Sequence, residues 1–294
     1  MANKRSFTLS PLSPAVGARI TAIDLRKEVD ESTADALRHA FAQHSVLCFP
    51  NQQIDSEDQI RFAAIFGRVD VKAGSPVAGG PGTHTKAEKR GVMFISNLRS
   101  EGKPIGDLPD GELQFHSDGS HRPDPYRATT LFALKVTSVG GETKFANLAA
   151  AYDALPDDVK ARIDNLTARH VYDKRATKRE QTNEQDDSLS SAVHPLVRIH
   201  PETGRKSLYV SRLMTRNVIG MDRKESDDLL EMLCTHAERP EFVYAHRWSV
   251  GDLLIWDNRA VNHARNDFPP EQERHLRRIT ISDPGAPERL EAYA

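Results

Sequence analysis

GELQFHSDGSHR, residues 111–122, sets an imidazole and a carboxylate two positions apart, at His116 and Asp118. On an extended strand the side-chain period of two sends both to one face, where they can share a metal ion. Such a pair arises by chance in many proteins, so its meaning depends on what the rest of the chain supplies. In GDLLIWDNRAVNHARND (251–267), His263 follows an apolar strand and a polar turn. A chain returning across a β core presents one more ligand at such a point. Two histidines and one carboxylate leave three octahedral positions open, the arrangement used by non-haem iron(II) oxygenases. A catalytic zinc site takes the same three ligands and is the direct competitor. Trp256 and Asp257, just before the turn, read as structural: indole in the core, carboxylate shaping the turn. His121 lies at odd spacing from His116, which on a strand turns it to the opposite face.

What separates iron from zinc is a second carboxylate-binding group. In HARNDFPPEQERHLRRITISD (263–283), Arg274 and Arg278 stand four apart at the start of another apolar run. If the strand extends back to Arg274, both point to one face. A planar guanidinium grips a carboxylate through two parallel hydrogen bonds, which suits the far end of a dicarboxylic cosubstrate. The plainer reading of the same cluster is a solvated strand edge.

Outward from these motifs, apolar runs at 18–23, 45–50, 92–97, 128–136, 207–210, 252–257 and 277–282 read as strands between turn residues. Helices are expected after Ser32, after Ser56 with Gln59 completing a capping box and Gly67 as the stop, across 147–165, and across 224–238. Strands and helices do not alternate as a doubly wound sheet requires. The expected fold is mainly β with flanking helices, a jelly roll, and one domain over 1–294. Two polar stretches, 72–90 and 174–192, are expected to be mobile loops.

The chain has 294 residues, 38% apolar and 28% charged, with a formal charge of -2. That balance gives no footprint for nucleic acid. Cys48 and Cys234 sit in apolar surroundings without metal or redox spacing, as buried free thiols do in a reducing compartment. No apolar run reaches signal-peptide or membrane-span length. A soluble cytoplasmic protein is expected, without a membrane partner.

Nearly the whole chain resembles the family of taurine dioxygenase and 2,4-dichlorophenoxyacetate dioxygenase. The likeness runs from GARITAIDL through FHSDGSHR, GGETKFANLAAAYDALP, HPLVRIHPETGRKSLYV and WDNRAVNHARND to RRITI. It implies a double-stranded β-helix of cupin type that couples oxidative decarboxylation of 2-oxoglutarate to hydroxylation of a substrate, using Fe(II) and O2. It implies that His116, Asp118 and His263 ligate iron, and that Arg274 and Thr143 meet the distal carboxylate of 2-oxoglutarate. Arg278 falls where the family holds a substrate sulfonate, which implies a small anionic substrate: a sulfonate, alkyl sulfate, phosphonate or aryloxyalkanoate. Asp118 argues against the related halogenases, which vacate that position. Lys72 and Glu112 stand where taurine dioxygenase has other substrate contacts, so taurine itself is not indicated. Family members form dimers or tetramers, which implies a homo-oligomer. Two other classes stay open: a zinc hydrolase with the same triad, and a non-catalytic jelly roll that binds a small carboxylate.

Overall fold

The computed structural model describes residues 7–69, 91–104, 106–107, 111–182, 186 and 188–285. Eight strands form a large sheet. In hydrogen-bonded order run Thr8–Pro11, Ala18–Thr21, Val46–Phe49, Leu253–Asp257, Ala128–Lys135, His275–Ser282 and Arg68–Val69, with Met93–Ser96 also paired to His275–Ser282. A four-stranded sheet runs Val243–His246, Thr143–Asn147, Val261–Arg265, Leu113–His116. Within these two sheets only Ala18–Thr21 and Val46–Phe49 pair in parallel; the other strand pairs are antiparallel.

Period-two alternation explains the layers. In Leu253–Asp257, Leu253 and Ile255 join a core shared with Phe41 and Phe62 of the helices Glu31–His44 and Ser56–Ala64. Leu254 and Trp256 face the other way, into a core shared with Phe145 and Val261 of the small sheet. Burial on both faces is why this strand is an unbroken apolar run. The two sheets facing one another across that second core make the jelly roll. A third core packs the helices Leu148–Asp153 and Arg223–Ala237 against Leu196, Leu208 and Val218. Cys48 and Cys234 are buried and free. No helix among the described residues is long and apolar enough to cross a membrane.

The structure corrects several local expectations. The first two helices are capped by Asp30 and Asp55, not by Ser32 and Ser56. The capping box uses Asp58. Gln59 is buried instead, donating to Thr130 Oγ1 at 2.9 Å and accepting from Arg277 Nε at 2.7 Å, so it ties its helix to the large sheet. The helix expected over 147–165 is two, Leu148–Asp153 and Asp157–Ile163. Pro156 separates them, lacking an N–H and disfavouring helical geometry before it. The loop 72–90 lies outside the described residues. Of 174–192, Ser190–Ala192 belong to the strand Ser190–Pro195, and Arg179–Gln181 form a 3-10 turn. Thr177 O accepts from the Gln114 backbone N–H at 3.0 Å, and the Arg179 N–H donates to Gln114 Oε1 at 2.8 Å. That part of the loop is anchored.

Asp257 is fully buried. Its carboxylate accepts from Arg259 at Nε (2.9 Å) and Nη2 (2.7 Å), and His200 Nε2 lies 3.0 Å away. Burial alone would raise its pKa, but the Arg259 guanidinium and then His200 hold it well below the usual carboxylate range. Removing the carboxylate takes from the buried Arg259 guanidinium its nearest counter-charge and leaves only the half-buried Glu202 beside it, so Asp257→Ala should cost about 3–5 kcal/mol, read from urea unfolding. A carboxyl held below its unfolded pKa of about 3.9 stabilises fully above about pH 5 and ever less as the pH falls. The variant should therefore show a flatter acid limb of stability against pH. A parallel offset at every pH would contradict this.

Candidate metal centre

His116 and His263 are directly opposite one another on neighbouring strands of the small sheet. Cross-strand partners share a face, and their rings lie 4.1 Å apart. Register shifts beside this pair: His263 pairs with His116 but Arg265 with Leu113, so the Leu113–His116 strand carries one extra residue. Such a bulge re-aims side chains next to functional sites. Here the Gln114 carbonyl lies 2.9 Å from His116 Nδ1. A carbonyl only accepts, so the ring proton sits on Nδ1 and Nε2 presents its lone pair. The His263 ring packs 4.7 Å from that of Trp256. Burial pulls both histidine pKa values down, His263 furthest, which keeps them neutral and able to ligate.

Asp118 does not share a strand with His116. The strand ends at His116, and Asp118 sits in the turn beyond. Gly119 makes that turn possible: its φ is +74°, and a Cβ there would meet the Tyr126 backbone N at 3.0 Å. The Asp118 N–H donates to Asn258 Oδ1 at 3.3 Å, Thr129 Oγ1 donates to Asp118 Oδ2 at 2.7 Å, and Asn258 Nδ2 donates to Thr129 Oγ1 at 3.1 Å. Asn258 Oδ1 also accepts from Trp256 Nε1 at 3.0 Å. Asp118 Oδ1 lies 2.7 Å from Arg278 Nη2. Burial raises the Asp118 pKa, but the Arg278 guanidinium against it holds the carboxyl well below its ordinary value, so it stays ionised. His116 Nε2 is 3.7 Å from Oδ1, and His263 Nε2 is 3.7 Å from Oδ2. The three ligand atoms lie within 4.8 Å of one another.

The same cavity is lined by Thr143, Arg265, Arg274 and Arg278. Arg274 is buried, and its Nε donates to the Gly141 carbonyl at 3.2 Å. Gly141 has φ +71°, and a Cβ there would lie 2.9 Å from Thr137 Oγ1 and 3.3 Å from Arg274 Nε. No carboxylate among the described residues pairs with Arg274. Burial, and then Arg265, bring its pKa down to about 9. A buried cation without a counter-charge is costly, and this one opens on a cavity beside the triad.

The strand reaches back only to His275, yet Arg274 and Arg278 share the cavity as expected. Glu112 does not line it: it is half exposed and ion-paired to Lys178 at 3.3 Å. Lys72 lies outside the described residues. His121 is not among the cavity residues and stacks on Tyr172 at 4.7 Å. Sequence reasoning missed Arg265, Asn258 and Thr129. Arg265 follows His263 by two on the same strand, a spacing that could have revealed it.

Two neutral imidazoles and an ionised carboxylate fit a divalent iron with open positions, and Arg274, without a carboxylate partner among the described residues, fits a dicarboxylate bound beside it. Fold and site together define a non-haem iron oxygenase of the two-histidine, one-carboxylate class. The model of the taurine catabolism dioxygenase TauD, TfdA family matches residues 8–280. The (S)-phenoxypropionate/alpha-ketoglutarate-dioxygenase of Sphingobium herbicidovorans is 32% identical, with 98% of this chain and 99% of that protein covered. The alpha-ketoglutarate-dependent 2,4-dichlorophenoxyacetate dioxygenase of Cupriavidus pinatubonensis is 33% identical, covering 95% and 98%. The crystal structure of AAD-2 in complex with Mn(II) and N-oxalylglycine superposes with a TM-score of 0.77 at 32% identity, covering 94% and 97%. The chain belongs to the TauD, TfdA family. It is a 2-oxoglutarate-dependent non-haem iron dioxygenase that uses Fe(II) and O2, and the zinc-hydrolase and non-catalytic readings fall.

Thr129→Val keeps shape but removes the hydroxyl that steadies Asp118. Metal affinity should drop about 10–100-fold, as for other groups that orient metal ligands. Anaerobic Mn(II) titration by calorimetry measures it; an unchanged affinity would show that Thr129 does not position the carboxylate.

Proposed function

We propose that His116, Asp118 and His263 hold the iron and that Arg274 and Thr143 take the distal carboxylate of 2-oxoglutarate. In this reading Arg278 faces the anionic group of the substrate. The observation that carries it is Arg274, a buried guanidinium with no carboxylate partner among the described residues, opening on the cavity that holds the triad. Iron with 2-oxoglutarate bound supplies the oxidising power to insert one atom of O2 into an unactivated C–H bond, with release of succinate and CO2. The chain's own part is to place and to exclude water. Gln114 fixes the His116 tautomer, and Thr129 and Asn258 fix Asp118. Ile95, Leu113 and Leu131 give the cavity an apolar wall.

Arg278 has two tasks. Its Nη2 is committed to Asp118, while among the described residues Nη1 has only the Met93 thioether at 3.6 Å. A substrate anion would take up that remaining donor capacity, next to the metal. Apolar walls beside a cation next to the metal suit a small anion with a hydrophobic body. Two relatives named for phenoxypropionate and 2,4-dichlorophenoxyacetate support the aryloxyalkanoate class, within a wider set of sulfonates, alkyl sulfates and phosphonates.

His263→Ala should abolish iron binding or weaken it severely. Arg274→Ala should raise the 2-oxoglutarate requirement by the ~2–5 kcal/mol expected for truncating one side of a buried charge pair. Anaerobic addition of Fe(II) and 2-oxoglutarate, followed by the weak visible band of the chelate, measures both. A His263 variant that keeps the band, or an Arg274 variant with unchanged 2-oxoglutarate dependence, would overturn the corresponding assignment. Aryloxyalkanoates should perturb the band more than taurine does.

A further inference from the structure

Thr143 faces a partner that the mechanism leaves unused. Trp248 Nε1 donates to Thr143 Oγ1 at 3.0 Å, and both side chains are buried. A hydroxyl has one hydrogen to give and two lone pairs to receive with, whereas an indole N–H can only give. The indole therefore occupies a lone pair of Thr143 and leaves the hydroxyl hydrogen to point elsewhere. Among the described residues that hydrogen has no acceptor, and Thr143 lines the cavity with Arg274. A carboxylate there could only accept, which is the orientation the indole leaves available.

Trp248 is itself braced. Its ring meets His246 edge-on at 4.8 Å and 86°. His246 pairs directly across the sheet from Thr143. Both nitrogens of His246 are engaged, Nδ1 2.9 Å from the Tyr244 hydroxyl and Nε2 3.1 Å from Asp252 Oδ2. Asp252 Oδ2 also accepts from the Ser249 N–H at 2.9 Å, which closes the turn around Trp248. Cys48, His246 and Asp252 bring possible ligand atoms within 4.8 Å, but a histidine with both nitrogens hydrogen-bonded is a brace for Trp248 and not a metal ligand.

We infer that Trp248 is a positioning residue of the cosubstrate pocket: its indole N–H presets the Thr143 hydroxyl as a donor to the distal carboxylate of 2-oxoglutarate. The inference rests on the roles given above to Thr143 and Arg274. Its test is a double-mutant cycle of Trp248→Phe and Thr143→Val in Mn(II)-loaded protein without oxygen. Calorimetry gives the Kd of 2-oxoglutarate, and that of oxalate, which chelates the metal but has no distal carboxylate.

Thr143→Val should weaken 2-oxoglutarate about 10-fold, the worth of one hydrogen bond to a charged group. Trp248→Phe alone should weaken it about 3–10-fold, and should add nothing in the Thr143→Val background because the two act as one unit. Oxalate should bind all four proteins alike. In turnover with Fe(II), Trp248→Phe should raise KM for 2-oxoglutarate and leave kcat nearly unchanged. Thr143→Ser, which keeps the hydroxyl, should keep the full sensitivity to Trp248→Phe. If Thr143→Val weakens 2-oxoglutarate but Trp248→Phe does not, or if the two losses add, the inference fails and the role of Thr143 stands. A loss shared equally by oxalate shows general loosening of the pocket and also overturns the inference. If Thr143→Val has no effect, the role of Thr143 and the inference fall together.

Discussion

The Asp118 carboxylate is ionised, sealed from water and set beside two imidazoles that are themselves kept neutral by burial. Removing such a charge from water costs several kcal/mol unless partners replace the solvent. Replacement at the carboxylate comes from the large sheet, a guanidinium at Arg278 and a hydroxyl at Thr129, while Asn258, in the turn that carries the chain to the small sheet, accepts from the Asp118 backbone N–H and donates to Thr129. Each partner holds its place only if the two sheets face each other in one register. The need to keep one charge satisfied thus constrains the turn after His116, the turn before Val261 and the alignment of the strand bearing Arg278.

Arg274 and Arg278 come from one short stretch and look into one cavity, yet their electrostatic situations are opposite. Arg278 has Asp118 against it, and its pKa is raised. Arg274 has a carbonyl and the nearby positive charge of Arg265, and its pKa is lowered. Among the described residues one has a carboxylate counter-charge and the other has none. The cavity is therefore polarised along its length, with the strongest unmet demand for an anion at the end away from Asp118. A dicarboxylate that ligates the metal at one end meets that demand at the other.

How much of this could be read from the amino acids depended on which sheet carried them. The central strands of the large sheet are buried on both faces, and those at 46–49, 128–135 and 253–257 stood out as hydrophobic runs close to their observed limits. The small sheet carries His116, Thr143, His263 and Arg265 on strands whose polar residues face inward, so no apolar run announced Thr143–Asn147 or Val243–His246. The triad residues were legible as residue types, but the reason given for grouping His116 with Asp118 was wrong. A turn and a cross-strand pair bring them together, and both depend on register that spacing alone does not reveal. Gln59 was legible as a cap by its position after Ser56, whereas its actual partners, Thr130 and Arg277, are distant in sequence. Glu112 was placed by likeness alone, and its ion pair with Lys178 depends on a loop whose path no local pattern encodes.

The division of the cavity between the sheets gives the cosubstrate a mechanical significance. Thr143 and both histidines belong to the small sheet, while Arg274 immediately precedes the His275–Ser282 strand of the large one. On the proposed assignments, a dicarboxylate held by all of them is a removable cross-link between two layers otherwise joined by side-chain packing, turns and the polar contacts around Asp118. A ligand that binds only the folded form adds to its stability in proportion to the logarithm of its occupancy. This ligand is also consumed at every turnover. The cross-link is therefore renewed at every turnover, with each fresh molecule of cosubstrate.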